Sequence, residues 1–182
     1  MGANMYIWTG LNVDNALRKV KEKAQAIYNA LPFSERLFTM PMHVSLKMSF
    51  EVPDEEAQMV IAALQRLFAT QPSFGMQVIG LEQYDNIAWI RIARSTKLDK
   101  LHDDILALLQ TQFGVQPHEY DLDYTYHVTL FMDDDAEVVK QAAERMATTP
   151  LPSTITADAY AIGTSPDGKV GTYKVTNVKP AN

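Results

Sequence analysis

Apolar residues recur along the chain with two different periods, and these periods predict a regular succession of strands and helices. The predicted strands cover residues 5–11, 42–50, 74–84, 87–93, 126–132, 154–163 and 170–178. The predicted helices lie between Asp14 and Pro32, between Pro53 and Phe68, between Ser95 and Gly114, and between Asp133 and Ala147. Capping and helix-breaking residues stand near the ends of the apolar stripes, so the two kinds of signal agree.

The order of these elements occurs twice, roughly over residues 5–84 and 87–178. Each half has a Trp-bearing strand, an amphipathic helix, a strand that begins near a histidine, a helix with acidic residues at its start, and a strand containing glycine. Helices and strands joined in this order predict an α+β fold. We expect one domain over residues 1–182 with two pseudo-symmetric lobes. Each lobe would be a mostly antiparallel sheet with helices on its outer face, and the active-site groove would lie between the lobes.

A four-residue phrase is repeated in the two histidine strands, as HVSL at residues 43–46 and HVTL at residues 127–130. With ordinary residue usage, a given histidine opens such a phrase roughly once in a thousand times. The chain has only 4 histidines, and two of them do so. Because side chains alternate faces along a strand, His43 shares a face with Ser45, and His127 shares a face with Thr129.

Composition and charge exclude several kinds of function. Apolar residues make up 47% and charged residues 21% of the chain, as in soluble globular proteins. There is no cysteine, which excludes disulfides, a thiolate nucleophile and thiolate-bound metals. The net charge of −6 argues against extended nucleic-acid binding. No apolar run is long enough for a membrane span, and no secretory signal opens the chain, so we expect a cytoplasmic protein with no membrane contact.

Two imidazoles across a groove suit phosphodiester chemistry. One neutral histidine can take a proton from an attacking hydroxyl or water, while the other, protonated, gives one to the leaving oxygen. Ordinary histidine titrates near pH ~6.5, so both forms are accessible. The hydroxyls of Ser45 and Thr129 can donate hydrogen bonds to non-bridging phosphate oxygens. This chemistry needs no metal and no cofactor.

With these two phrases, the sequence resembles the two-histidine (2H) phosphoesterase superfamily, which includes bacterial 2'-5' RNA ligase-like proteins and cyclic phosphodiesterases. Its signature is two copies of His-hydrophobic-Ser/Thr-hydrophobic, and the longer run HVSLKMSFEV is similar to its first motif. The resemblance implies two pseudo-symmetric lobes with the site between them. It also implies that His43 and His127 are the acid–base pair, and that Ser45 and Thr129 bind phosphate. The residue before the second histidine is Tyr126, where proline is frequent in the family.

Further candidate residues for the walls of the groove are Lys47, Phe131, Trp89, Arg91, Tyr6 and Trp8. Lys47 shares a predicted face with His43 and could bind phosphate, although a solvated lysine at the strand end is an equal alternative. The tryptophans and Arg91 could stack a base and pair a phosphate, but aromatic residues in strands more often belong to the core.

The remaining histidines and an acidic run have simpler interpretations. The run at residues 133–135 could hold a metal together with His127, but acidic residues at a helix start explain it better. His102, on a predicted helix among aspartates, is expected at the surface. His118 lies in a polar loop and has no partner that the sequence indicates.

Three hypotheses for the function follow. The first is a metal-independent phosphodiesterase that acts on a 2',3'-cyclic phosphate or a 2'-5' phosphodiester of a nucleotide or RNA end. The second is a module that binds a nucleotide or phosphate without turnover. The third is 2'-5' joining of RNA ends. Two titratable groups paired with two hydroxyls favour the first, because binding alone does not require them.

Overall fold

Strands and helices follow one another nearly in the predicted order. The computed structural model describes residues 4–34, 37–169 and 171–181. The strands are β1 (Asn4–Asn12), β2 (His43–Pro53), β3 (Gly75–Tyr84), β4 (Ile87–Ile92), β5 (His127–Met132), β6 (Thr154–Thr156), β7 (Ala159–Ser165) and β8 (Lys174–Val178). The helices are α1 (Arg18–Ala30), α2 (Asp54–Ala69), α3 (Thr96–Phe113) and α4 (Ala136–Met146).

The signals at both ends of α3 and at the start of α4 act as predicted, whereas α1 begins at Arg18 without the side-chain cap expected from Asn12 or Asp14. The Ser95 side chain accepts a hydrogen bond from the Leu98 amide at 3.3 Å and so caps α3. Gly114 ends this helix with φ 68°, the left-handed conformation that glycine adopts most easily. The Asp135 carboxylate accepts a hydrogen bond from the Glu137 amide at the start of α4. The acidic run therefore begins a helix, in agreement with the simpler interpretation.

Two four-stranded antiparallel sheets form, with strand orders β2-β1-β7-β8 and β5-β4-β3-β6. The strand predicted over residues 154–163 is in fact two strands. β6 pairs with β3 in the second sheet, whereas β7 pairs with β1 in the first. At the break, the Asp158 amide donates a hydrogen bond to the Asn12 carbonyl, where the chain passes from one sheet to the other. β8 begins at Lys174, and Val170, where the last strand was predicted to begin, lies outside the described residues.

The sheets do not coincide with the two sequence halves, so the predicted division of the lobes at residues 84–87 is wrong in space. β3 pairs with β4 across a tight turn in which Tyr84 lies opposite Ile87, which keeps β3 with the second sheet. β7, from the second half, pairs with β1 of the first half. The first half therefore gives β3 to the second sheet, and the second half gives β7 and β8 to the first. The pseudo-symmetry relates β1, β2 and β7 to β4, β5 and β3.

Each sheet is likewise covered by helices from both halves of the sequence. α2 packs on the strands of the first sheet with α3 beside it, and α3 also contacts β2. α4 packs on the second sheet with α1 beside it, and α1 also contacts β5. Buried apolar residues from both sheets and all four helices form one hydrophobic core cluster. Within the described residues, no helix has the length and apolar character needed to cross a membrane.

Candidate active site

The two histidine strands are edge strands that face each other. β2 is the outer strand of the first sheet and β5 is that of the second, and the two strands are in contact. A cavity of about 180 Å³ lies at this junction. Its lining residues are Phe38, Met40, Pro41, Met42, His43, Thr129 and Met132. The fold therefore brings the histidine of the first phrase and the hydroxyl of the second to one cavity.

Both imidazoles are held in the same tautomer. His43 Nδ1 lies 2.8 Å from the carbonyl oxygen of Pro41, and His127 Nδ1 lies 2.7 Å from that of Thr125. A carbonyl can only accept, so each Nδ1 carries the hydrogen and donates it. In the neutral ring, Nε2 then has the free lone pair, which is what a general base needs. The same contact, made to the residue two positions earlier, occurs in both halves.

Each histidine ring also stacks on a tryptophan of the neighbouring strand. The ring centroids of Trp8 and His43 are 4.2 Å apart with an interplanar angle of 22°. Those of Trp89 and His127 are 4.3 Å apart with an angle of 28°. Trp8 is only 5% exposed, so it packs behind the histidine ring. The prediction that Trp8 lines the groove is therefore wrong. Stacking and the Nδ1 hydrogen bond together leave each imidazole little freedom to rotate.

Trp8 fits this position because two glycines leave room for it. Gly163 lies opposite Trp8 on β7, and a Cβ there would come within 2.1 Å of the indole Nε1. A Cβ on Gly10 would lie 2.9 Å from the same ring and 2.8 Å from the Val44 carbonyl oxygen. Tyr6, another candidate for the groove, packs beside the turn at Gly168, where a Cβ would lie 3.0 Å from its ring.

In the second half, a carboxylate occupies the place opposite the tryptophan. Glu82 on β3 lies opposite Trp89 on β4. Its Oε2 accepts hydrogen bonds from Trp89 Nε1 at 3.2 Å, from Tyr84 at 3.1 Å and from Arg91 at 3.4 Å. Burial raises the pKa of Glu82, but these hydrogen bonds and the Arg91 charge outweigh it, so that its pKa lies below the ordinary value. The carboxylate therefore stays ionised and orients the indole under His127.

Arg91 keeps its place near the second histidine, because it lies opposite His127 in the register of β4 and β5. Its side chain is partly exposed and forms an ion pair with Glu82. Its predicted contact with a phosphate stays a prediction.

Two of the candidate groove residues point into the protein because both histidine strands contain a bulge. On β2, Ser45 and Lys47 lie opposite the consecutive residues Gly10 and Thr9. On β5, Thr129 and Phe131 likewise lie opposite the consecutive residues Trp89 and Ala88. One extra residue in each strand reverses the alternation of side chains. The predictions that Lys47 and Phe131 face the groove are therefore wrong.

Lys47 is 1% exposed, and its Nζ lies 2.7 Å from Oδ2 of the buried Asp121. Phe131 is fully buried, and its ring stacks on those of Phe33 and Tyr28 with centroids 5.8 Å and 6.5 Å away. Both side chains stabilise the strand that carries the site and are not available to a ligand. A buried ion pair of this kind tolerates the loss of neither partner.

Behind Ser45 lies a buried polar layer that the sequence did not indicate. Burial raises the pKa of the Tyr124 phenol, and the neighbouring Ser45 opposes this increase. The Tyr124 ring stacks on His102 with centroids 4.8 Å apart. His102 is 4% exposed and lies between the carbonyl oxygens of Leu46 and Asp121, at 2.6 and 2.9 Å, so the prediction of a surface position is wrong. The neighbouring aspartates had suggested that this face of α3 is exposed to solvent. It is buried because it packs against β2.

The electrostatics of the two imidazoles are alike. Burial lowers the pKa of His43, and the nearby His127 lowers it further, against opposing contributions from Pro41 and Asp14. Burial likewise lowers the pKa of His127. Both rings are therefore neutral at pH 7 in the free protein.

The acidic run at residues 133–135 has structural contacts. Asp133 Oδ2 accepts hydrogen bonds from the amide and hydroxyl of Ser34 at 2.6 and 2.8 Å. His118 caps a short 3-10 helix, in which Asp121 accepts a hydrogen bond from the His118 amide. In the parts of the chain that the structure describes, no three His, Asp or Glu side chains are grouped so that they could hold a metal ion.

Of the residues that sequence reasoning missed, Glu82 had a usable signal. The predicted hairpin, with its turn at residues 85–86, places position 82 opposite position 89. Tyr124 and Asp121 had none, because both come from the irregular segment before β5, whose path no periodicity predicts.

The family model described as the 2'-5' RNA ligase superfamily matches residues 13–165, a range that includes both histidine phrases. A search of curated proteins finds no match.

Several solved structures share the fold. A protein described as a phosphoesterase superposes with a TM-score of 0.62 at 12% identity, covering 98% of this chain and 99% of that one. The protein TT0787 of Thermus thermophilus gives 0.60 at 15% identity, with 96% and 95% covered. E. coli LigT complexed with 3'-AMP gives 0.58 at 14% identity, with 98% and 99% covered. At such identities the likeness is one of fold, and it agrees with the predicted α+β architecture.

Proposed function

Because the chain belongs to the 2'-5' RNA ligase superfamily, we propose that it is a phosphodiesterase that uses His43 and His127 as its acid–base pair. The proposed substrate is a 2',3'-cyclic phosphate or a 2'-5' phosphodiester of a nucleotide or RNA end. One observation carries the proposal. The two edge strands that carry the imidazole and hydroxyl pairs are in contact, and His43 and Thr129 line one cavity between them, with each imidazole Nδ1 donating to a carbonyl.

In the proposed hydrolysis, one histidine removes a proton from water through Nε2 as the water oxygen attacks phosphorus. The bond from phosphorus to the ribose oxygen breaks, and that oxygen takes a proton from the other histidine. Ser45 and Thr129 donate hydrogen bonds to the non-bridging oxygens, where negative charge increases in the transition state. Each proton transfer is worth about 10²–10⁴ in rate. Neither transfer requires a metal, so we expect activity to persist in a chelator.

The lowered pKa values add a condition to this mechanism. Both rings are neutral in the free protein at pH 7, yet one of them must act as an acid. The anionic phosphodiester favours an imidazolium beside it, so its binding should raise one of the two pKa values. Proton uptake on binding is therefore part of the proposal.

The ligands crystallised with one structural relative agree with a nucleotide substrate. E. coli LigT has been crystallised with 3'-AMP, with ATP and with phosphate. A nucleotide or RNA end is thus the class of substrate to test first. A cytoplasmic location and the absence of extended nucleic-acid binding stay predictions.

The test is hydrolysis of 2',3'-cyclic nucleotides and of 2'-5' dinucleotides in the presence of EDTA. Wild type should turn over at least one of these, and His43→Ala and His127→Ala should each lower kcat by about 10²–10⁴. Isothermal titration of a nucleoside 3'-monophosphate in buffers of different ionisation enthalpy should show proton uptake at pH 7. Tight nucleotide binding with no turnover would contradict the phosphodiesterase and favour the second hypothesis, a binding module. Joining of RNA ends through 2'-5' bonds would establish the third hypothesis.

A further inference from the structure

A second, larger cavity adjoins the catalytic one. It has a volume of about 560 Å³ and lies between α1 and the segment that leads to β2. Its lining residues are Gln25, Tyr28, Asn29, Leu31, Phe33, Phe38 and Thr39. Phe38 lines both cavities, and the chain then continues through Met40 to His43 along the wall of the catalytic cavity. Small-molecule sites commonly have volumes of about 300–1,000 Å³.

Aromatic rings form one side of the larger cavity. Tyr28 and Phe33 stack with centroids 3.9 Å apart and an interplanar angle of 11°. Phe38 meets Tyr28 edge-on at 5.4 Å and 84°. Phe33 and Phe38 are only partly buried, and both rings line the cavity. Stacking also joins Phe33 to Phe131, two residues beyond Thr129, which fixes this wall relative to the catalytic strand.

Amides form the polar side. Gln25 and Asn29 are separated by one helical turn, so both lie on the same face of α1. Each amide offers donors and an acceptor. Of the described residues that line this cavity, none carries a charge. Aromatic faces beside amides suit a flat heteroaromatic ring with donors and acceptors at its edge.

We propose that this cavity binds the nucleobase of the substrate, stacked on Phe33 or Phe38 with its edge at Gln25 and Asn29, while the phosphate occupies the adjoining catalytic cavity. This inference rests on the proposed phosphodiesterase function and specifies its substrate as a nucleoside phosphodiester. It assigns Phe38 to the junction between base and phosphate.

The test compares substrates with and without a base. The four 2',3'-cyclic nucleotides would be assayed beside the 2',3'-cyclic phosphate of 1-O-methylribose, which has no base. Phe38→Ala should raise KM for the nucleotides roughly 5- to 100-fold, as expected for loss of base stacking, and should change kinetics on the abasic compound much less. Asn29→Ala, at an exposed position of α1, should alter the ranking of the four bases. Gln112→Ala, which removes an exposed amide from α3, is the matched control and should change neither.

The outcomes separate the two proposals. Equal effects of Phe38→Ala on nucleotides and on the abasic compound, or no effect of either variant, would overturn the base site while the phosphodiesterase stands. If wild type hydrolyses none of these substrates, calorimetry with adenosine 3'-monophosphate and inorganic phosphate decides about the base site. A tighter affinity for the nucleotide that Phe38→Ala abolishes would support it, and equal affinities for the two probes would overturn it.

Discussion

The His43 half and the His127 half of the candidate site share their first contacts and differ in what lies behind them. In both, Nδ1 donates to the carbonyl two residues earlier and a tryptophan stacks on the ring. Behind Trp8 is Gly163, and the buried indole Nε1 has no hydrogen-bond acceptor among the described residues. Behind Trp89 is Glu82, which accepts the indole hydrogen.

Two kinds of force thus hold the same local geometry around the two histidines. The first tryptophan is fixed by shape, because its ring fills the space that the absent side chains of Gly10 and Gly163 leave. The second is fixed by a charge-assisted hydrogen bond at the more exposed edge of the molecule. The same contrast recurs past the bulges, where Lys47 forms a buried ion pair and Phe131 packs in an aromatic cluster.

The largest effect on stability is expected from the buried ion pair. Lys47→Met leaves Asp121 buried without its cation, so the free energy of unfolding should fall by about 3–5 kcal/mol in urea denaturation. Combining it with Asp121→Leu should be less harmful than Lys47→Met alone, because no uncompensated charge remains. The matched change in the other half, Phe131→Leu, should lower stability by less than about 1.5 kcal/mol. If Lys47→Met instead binds phosphate more weakly and its stability is unchanged, Lys47 contacts the ligand in the groove.

The shape-based support of His43 can be broken at one glycine. The Cβ introduced by Gly163→Ala would displace Trp8, so we expect a loss of about 1–3 kcal/mol in the free energy of unfolding and a lower kcat. Gly80→Ala is the control, because a Cβ there would meet nothing within 4 Å. Both quantities should stay near wild type in the control. Equal behaviour of the two variants would show that Trp8 is not held by shape.

The smallest effect is the pH dependence that both halves share. Burial lowers the pKa of each imidazole in the folded protein, whereas the unfolded value is near ~6.5. Between these values the unfolded chain binds more protons, so stability is full above pH ~6.5 and falls as the pH drops below it. The slope is at most about 1.4 kcal/mol per pH unit and per histidine.

Urea denaturation at pH 7.5 and 5.5 measures this loss, which should be smaller in His43→Gln and in His127→Gln. In addition, NMR titration of His43 should show a higher pKa in His127→Ala, because the repulsion between the rings is gone. An unchanged pKa of His43 would mean that the two imidazoles are electrically independent.

The pattern of residues along the chain was enough to predict the elements, their order and the chemistry that they could carry. Apolar periods predicted four helices and most strands, since burying one face requires that spacing whatever the partner. The duplicated phrase singled out His43, Ser45, His127 and Thr129, because a repeat at such spacing has no simpler explanation. The hairpin also contained the pairing of Glu82 with Trp89, since a tight turn fixes the register on both sides.

Which side chains reach the groove depends on how distant parts of the chain pack together. A single extra residue in each histidine strand turned Lys47 and Phe131 inward, and a bulge depends on the partner strand, which a local pattern does not specify. The exchange of β3 and β7 between the sheets, the burial of His102 and the contact of Tyr124 with Ser45 likewise arise from segments far apart in the chain. The apolar period of an element indicates which of its faces is buried, but it does not indicate which other element covers that face.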